Sequence, residues 1–177
     1  MNEAEWGQYI SQQMQFVKCL DHKVRDDLIV RLKPNSFGRN QGLYWGGLVH
    51  EKAINVGIGD IKTLVRSAKL VVVSYEGTTH LDTLNWDIPT VLLLKKELWP
   101  IRNEALKAYT LLEKSKVLFF DEVAAANHIN SIVGSGVDTW WHSQDVRGAI
   151  QEFLYMYSKK VTDPVNEISN LISSRLG

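Results

Sequence analysis

The stretch KLVVVSYEGTTHLDTLNWDIPTVLLL, residues 69–94, decides the fold. It opens on Lys69-Leu70-Val71-Val72-Val73-Ser74-Tyr75, a β-branched run of the kind buried on both faces of a sheet. Glu76-Gly77-Thr78-Thr79 turns the chain and supplies a helix-capping residue. A helix over 80–85 follows, with Leu81 and Leu84 inward. Asp87-Ile88-Pro89 ends it, and 90–94 is a second buried strand. Strand, turn, helix and strand in so short a span make a βαβ unit, which implies a parallel sheet with right-handed crossovers.

The same grammar extends to both sides. Downstream, a helix to about residue 114 leads to a strand over 117–120, and Asp121 caps a helix through about 133. Beyond Gly134 and Gly136 the pattern is helical only: 138–141, 146–159, and 164–176 with Pro164 in a favourable first turn. Upstream, Trp6, Tyr9, Ile10, Met14, Val17 and Leu20 recur in steps of three and four, predicting an amphipathic helix over 3–20. Short strands are expected at 27–32, stopped by Pro34, and at 53–56, with a helix over 61–67 capped by Asp60. Residues 35–50, rich in glycine, asparagine and aromatics, read as a loop with one helical turn at most. The expected class is α/β: a Rossmann-like parallel sheet of four to five strands flanked by helices, with a helical C-terminal tail.

Composition narrows the function classes. The chain has 177 residues, 45% apolar and 23% charged, which fits one domain with a real core and excludes a disordered or disulfide-stapled chain. Lys plus Arg and Asp plus Glu are 20 each, so the formal net charge is zero and there is no electrostatic footprint for nucleic acid or an anionic membrane. The single cysteine, Cys19, forms no intramolecular disulfide and no multi-cysteine zinc site, and a cytoplasmic location fits it. The longest apolar runs, 70–73 and 91–94, are far shorter than a membrane span, and residues 1–20 carry no signal-peptide core. No HExxH, P-loop, GxGxxG or DxD occurs, so neither metal nor cofactor is expected.

In open parallel sheets ligands bind outside the carboxyl ends of the strands. Ser74-Tyr75-Glu76-Gly77-Thr78-Thr79 occupies that place. Gly77 lets a ligand approach the backbone, Thr78 and Thr79 offer hydroxyls, and the free N–H groups opening the next helix favour a phosphate or diphosphate. The plainer alternative is that a threonine caps the helix and Glu76 is solvated. Asp82, one turn on, can accept from ribose hydroxyls or simply favour the helix dipole. Arg31, in an apolar strand, calls for a carboxylate or phosphate partner, structural or ligand-borne. Arg102 stands where it can reach the same crevice. Trp99 reads as packing, Trp140 and Trp141 as a core anchor for the tail helices. His80 is either a proton shuttle or an ordinary surface group. Phe37, Tyr44 and Trp45 suggest a mobile aromatic lid or a contact surface.

The motifs SYEGTTHLDTLNWDIPTV (74–91), LWPIRNEALKAY (98–109), AAANHINSIV (124–133) and DTWW (138–141), in that order, resemble a family of bacterial transferases encoded in lipopolysaccharide or capsule loci, which are similar to GT-B glycosyltransferases. The likeness covers about residues 3–160. It implies the C-terminal half of such an enzyme: 1–160 as a Rossmann-like nucleotide-sugar-binding domain and 161–177 as a C-terminal helix. It places phosphate and ribose contacts at Tyr75, Glu76, Gly77, Thr78, Thr79 and Asp82, and Arg31 is similar to a basic strand-end residue of related transferases. Asp82 stands where glutamate is more usual, which shortens the reach to a ribose. The resemblance also implies that the acceptor and any general base come from an N-terminal domain, the chain being a truncated product, a split enzyme completed by an N-terminal domain on another chain, or a free-standing binding domain. The alternatives are a non-catalytic remnant or interaction domain of the same fold and, last, a flavodoxin-like small-molecule binder.

Overall fold

A computed structural model describes residues 2–34, 38–134 and 136–176. Helices α1 (Glu3–Cys19) and α2 (His22–Asp26) lead to β1 (Val30–Arg31), and α3 (Gln41–Trp45) and a 3-10 turn (Glu51–Ala53) to β2 (Ile54–Asn55). Then come α4 (Ile61–Ser67), β3 (Val71–Val73), α5 (Thr78–Asn85) and β4 (Thr90–Leu93). A 3-10 turn at Asn103–Ala105 enters α6 (Leu106–Lys114), followed by β5 (Leu118–Phe119) and α7 (Glu122–Ile132). The rest is helical: α8 (Val137–Trp141), α9 (Gln144–Tyr157) and α10 (Pro164–Leu176).

The strands β3, β4 and β5 form a parallel sheet in that order, Val72 facing Val91 and Leu92 facing Leu118. Every residue of β4 is buried, because both faces are covered. Val91 and Leu93 meet Phe16, Val17 and Leu20 near the end of α1 and Ala125, Ala126 and Ile129 of α7. Leu92 and Leu94 meet Leu84 of α5, Ala108 and Leu112 of α6, and Ile150 and Phe153 of α9. Each such valine, leucine, isoleucine or phenylalanine contributes roughly 1.5–3 kcal/mol by leaving water. The βαβ reading of 69–94 is therefore observed, with the helix opening at Thr78, two residues earlier than expected.

The expectation of one sheet of four to five strands is corrected. The strands β1 and β2 pair only with each other, Val30 against Ile54 and Arg31 against Asn55. Both are two residues long. Pro34 has no N–H to continue a ladder. Gly57 turns the chain at φ +84°, where a Cβ would lie 2.6 Å from the Leu32 carbonyl and 2.8 Å from the Pro34 ring. The pair shares the core, since Val30, Leu32 and Ile54 pack on the cluster holding Val91 and Leu93, without sharing the hydrogen-bond ladder.

The tail is fastened by side chains. Trp141, 1% exposed, donates its indole N–H to Asp87 at 2.9 Å, and Arg147 of α9 meets the same carboxylate. Asp87 sits at φ +58°, a left-handed position ending the turn after α5. Burial pushes its carboxyl up, but the bonds from Trp141 and Arg147 and the charges of Arg147 and His142 hold it below the usual range. Asp87→Ala leaves the buried indole N–H unpaired and places alanine at a positive φ. The expected loss is about 2 kcal/mol, read as a lower urea midpoint with unchanged slope.

Candidate functional site

Helix α1 is the element that shapes the carboxyl edge of the sheet. Asn2 and Glu5 form a reciprocal capping box at its start, fixing where its first turns lie. Gln12, 3% exposed, donates its side-chain amide to the carbonyls of Leu94 (3.4 Å) and Phe120 (3.2 Å), just past β4 and β5. One turn earlier, the Tyr9 hydroxyl meets the Ser74 hydroxyl at 3.1 Å, and its ring packs edge-on against Trp99, centroids 5.5 Å apart. Burial raises the Tyr9 phenol, against the lowering bonds to Ser74 and Gln13. The β4 and β5 ends are thus plugged by a glutamine, and the loop after β3 is bordered by a phenol. A cavity of about 470 Å³ lies beside them, lined by Lys95, Lys96, Phe120 and Asp121 among others, with the Lys96 ammonium 4.3 Å from the Phe120 ring centroid.

The loop 74–79 leads from β3 into α5. Gly77 is the N-cap, and among the described residues no side-chain cap bond meets the first N–H groups of the helix. Thr78 is exposed, while the Thr79 hydroxyl is 2.7 Å from the Tyr75 hydroxyl. Neither threonine is the cap that the plainer sequence reading allowed. The Tyr75 ring lies over Gly77: a Cβ there would be 2.6 Å from the ring edge. Lys33, just past β1, places its ammonium 5.4 Å from the centroid of the Tyr75 ring.

Behind the loop is a titratable cluster. The Tyr109 hydroxyl of α6 donates to the Glu76 carboxylate at 3.2 Å. Its ring stands edge-on to Phe153 at 5.2 Å and to Tyr157 at 6.3 Å. Burial, and then the negative charge of Glu76, push the Tyr109 phenol far up, so it stays a donor at any ordinary pH. His80 is 6% exposed and packs on Phe153 at 5.9 Å. Burial lowers its imidazole, against the raising charges of Glu76 and Asp82. It is therefore a buried neutral group, not a surface histidine.

The structure brings Tyr75, Glu76, Gly77, Thr78 and Thr79 together at the carboxyl end of β3, with Asp82 exposed one turn along α5. Arg31 has other partners. Its guanidinium donates to Asn55 Oδ1 (3.2 Å) and to the carbonyls of Ile58 (3.4 Å), Gly57 (3.1 Å) and Gly59 (2.8 Å), which gives it the structural alternative. Arg102 is exposed at the entry to the 3-10 turn before α6. Trp45 is 3% exposed and belongs to the core, which removes it from any lid; Tyr44 is 38% exposed, and Phe37 lies outside the described residues. Trp141 is the core anchor expected of it.

Sequence reasoning passed over Tyr9, Gln12, Lys33 and Tyr109. A glutamine and a tyrosine on the apolar stripe of α1 were the available signals for two of them; Lys33 and Tyr109 carried none. Among the described residues, no helix is long and apolar enough to cross a membrane. Comparison with curated proteins and with solved structures finds no match. A family model described as LIC12162 family transferase matches residues 1–172, which takes in both sheets, the loop after β3 and the first two turns of α10. The chain belongs to the LIC12162 family of transferases.

Proposed function

We propose that residues 1–160 form the donor-binding domain of a GT-B-type glycosyltransferase, gripping the diphosphate of a nucleotide-activated sugar used in surface-polysaccharide synthesis. The observation that carries this is the uncapped start of α5 at the carboxyl end of β3, in a chain of a transferase family. The uncapped N–H groups at Thr78 and Thr79, with the Thr78 hydroxyl, donate to the phosphate oxygens; the helix dipole favours the charge that builds on the leaving diphosphate. Asp82 faces the ribose hydroxyls, and Arg102 answers the remaining charge. The acceptor and its base come from a second, N-terminal domain.

The test is calorimetric titration with UDP, CDP, GDP and CMP sugars. One of them is expected to release heat, and Thr78→Val to weaken that binding about tenfold while leaving the fold intact by circular dichroism. Silence with every donor removes the reading. An interaction domain of the same fold is then favoured, since Ile58 (78% exposed), Val56 (56%) and Ile29 (55%) leave apolar side chains in water around the β1–β2 pair.

A further inference from the structure

We propose that Lys33, not Arg31, is the cation that meets the ligand at the loop after β3, and that the Tyr75 ring is a cover held over that loop until the ligand draws Lys33 away. The inference rests on the donor-binding reading and adds to it a charge and a gate.

Arg31 is committed elsewhere. Four oxygens, three of them the consecutive carbonyls of Gly57, Ile58 and Gly59, surround its guanidinium, so it fastens the turn after β2. Taking it for a phosphate would undo that turn. Lys33 is different. It is exposed, it forms no ion pair with any described residue, and its ammonium rests on the face of the Tyr75 ring. A cation on an aromatic face in water is held weakly, by about 0.5–1 kcal/mol, and a phosphate oxygen is a far better partner.

Tyr75 is held from the other side. Its hydroxyl meets Thr79 at 2.7 Å, and its ring lies down on Gly77 because a glycine there has no Cβ to lift it. The ring thus lies against Gly77, the N-cap of α5, beside the uncapped start of the helix, and its hydroxyl engages the threonine a ligand would use. Opening the cover costs one hydrogen bond and one cation–π contact, a bistable balance that a dianionic group can tip. A ligand must overcome the closed population before it binds, which lowers its apparent affinity by the fraction open.

The experiment titrates UDP, CDP and GDP into the wild-type chain, Tyr75→Phe and Lys33→Met, each checked by circular dichroism. Tyr75→Phe removes only the bond to Thr79 and is expected to bind the preferred nucleotide about tenfold more tightly. Lys33→Met keeps the aliphatic stem and is expected to bind at least tenfold more weakly. Equal or weaker binding by Tyr75→Phe overturns the cover. Unchanged binding by Lys33→Met overturns the cation. Absence of binding in all three folded proteins overturns the donor-binding reading itself and takes both assignments with it.

Discussion

Phe153→Ala is expected to cost about 4 kcal/mol of stability, most of what a domain at the low end of the usual range, about 5 kcal/mol, possesses. Phe153 is 1% exposed and is the shared wall between three elements. It packs on His80 of α5 at 5.9 Å, on Tyr109 of α6 at 5.2 Å and on Tyr157 of its own helix at 4.9 Å. Truncation removes the transfer energy of the ring, leaves a cavity that three rings cannot close, and forfeits the edge-on pairing with Tyr109. Urea titration measures the loss. Phe153→Leu, which keeps most of the volume, is expected to lose much less, and Tyr155→Ala, at a site 67% exposed two residues away, to stay within about 0.5 kcal/mol. The effect also reaches the candidate site. Tyr109 bonds Glu76 through its hydroxyl, and its ring packs on Phe153, so on the proposed donor-binding reading residual folded Phe153→Ala is expected to hold a nucleotide more weakly than wild type.

The parts of this molecule that sequence made legible are those where one physical demand acts alone. A strand buried on both faces must be apolar at nearly every position, and residues 70–73 and 91–94 are, so the βαβ unit could be read from them, although in the edge strand β3 only Val73 is buried. The Asp121 cap of α7, which receives the Ala124 N–H at 2.7 Å, and the Asp60 cap of α4 are equally local. The β1–β2 pair was misassigned because its strands look apolar from the core side while their ladder is cut by Pro34 and by the left-handed Gly57, an effect of two segments 23 residues apart meeting. Trp45 was misread for a related reason. Glycine neighbours suggested exposure, and only the tertiary contact with Phe16, Val91 and Ile129 decides its burial.

The site divides along the same line. The 74–79 loop was legible because turn, glycine and hydroxyls are contiguous. The partner of Glu76 was not, since Tyr109 comes from 33 residues downstream and resembles any other aromatic on a helix. Arg31 and Lys33 are two cations two residues apart, and no pattern distinguishes them. Their difference lies in the carbonyls of 57–59, which reach one and not the other.

Acidification is expected to unfold the wild-type chain earlier than His128→Phe. His128 is 9% exposed on α7, stacked on Phe119 at 5.4 Å and edge-on to Trp140 at 5.0 Å, and its Nε2 has no hydrogen-bond partner among the described residues. Burial, and then the positive charge of Lys116, lower its imidazole from the ordinary 6.5 to about 4. The folded chain therefore keeps it neutral where the unfolded chain protonates it. Between these two values the unfolded state binds more protons, so stability rises with pH there. The contribution is complete above about pH 7 and is lost as pH falls through 6.5 toward 4, to a ceiling of about 3 kcal/mol. Phenylalanine keeps the two ring contacts, gives up no hydrogen bond at Nε2 and cannot take a proton. The two proteins are expected to lie within about 1 kcal/mol of each other at pH 7.5. At pH 4.5 the variant is expected to be the more stable by about 2 kcal/mol, measured as the difference in urea midpoint across the range, in which the titration of carboxylates common to both cancels. Parallel pH profiles for the two chains would show that the imidazole is hydrated in the folded protein and that the Phe119–Trp140 slot is open to water.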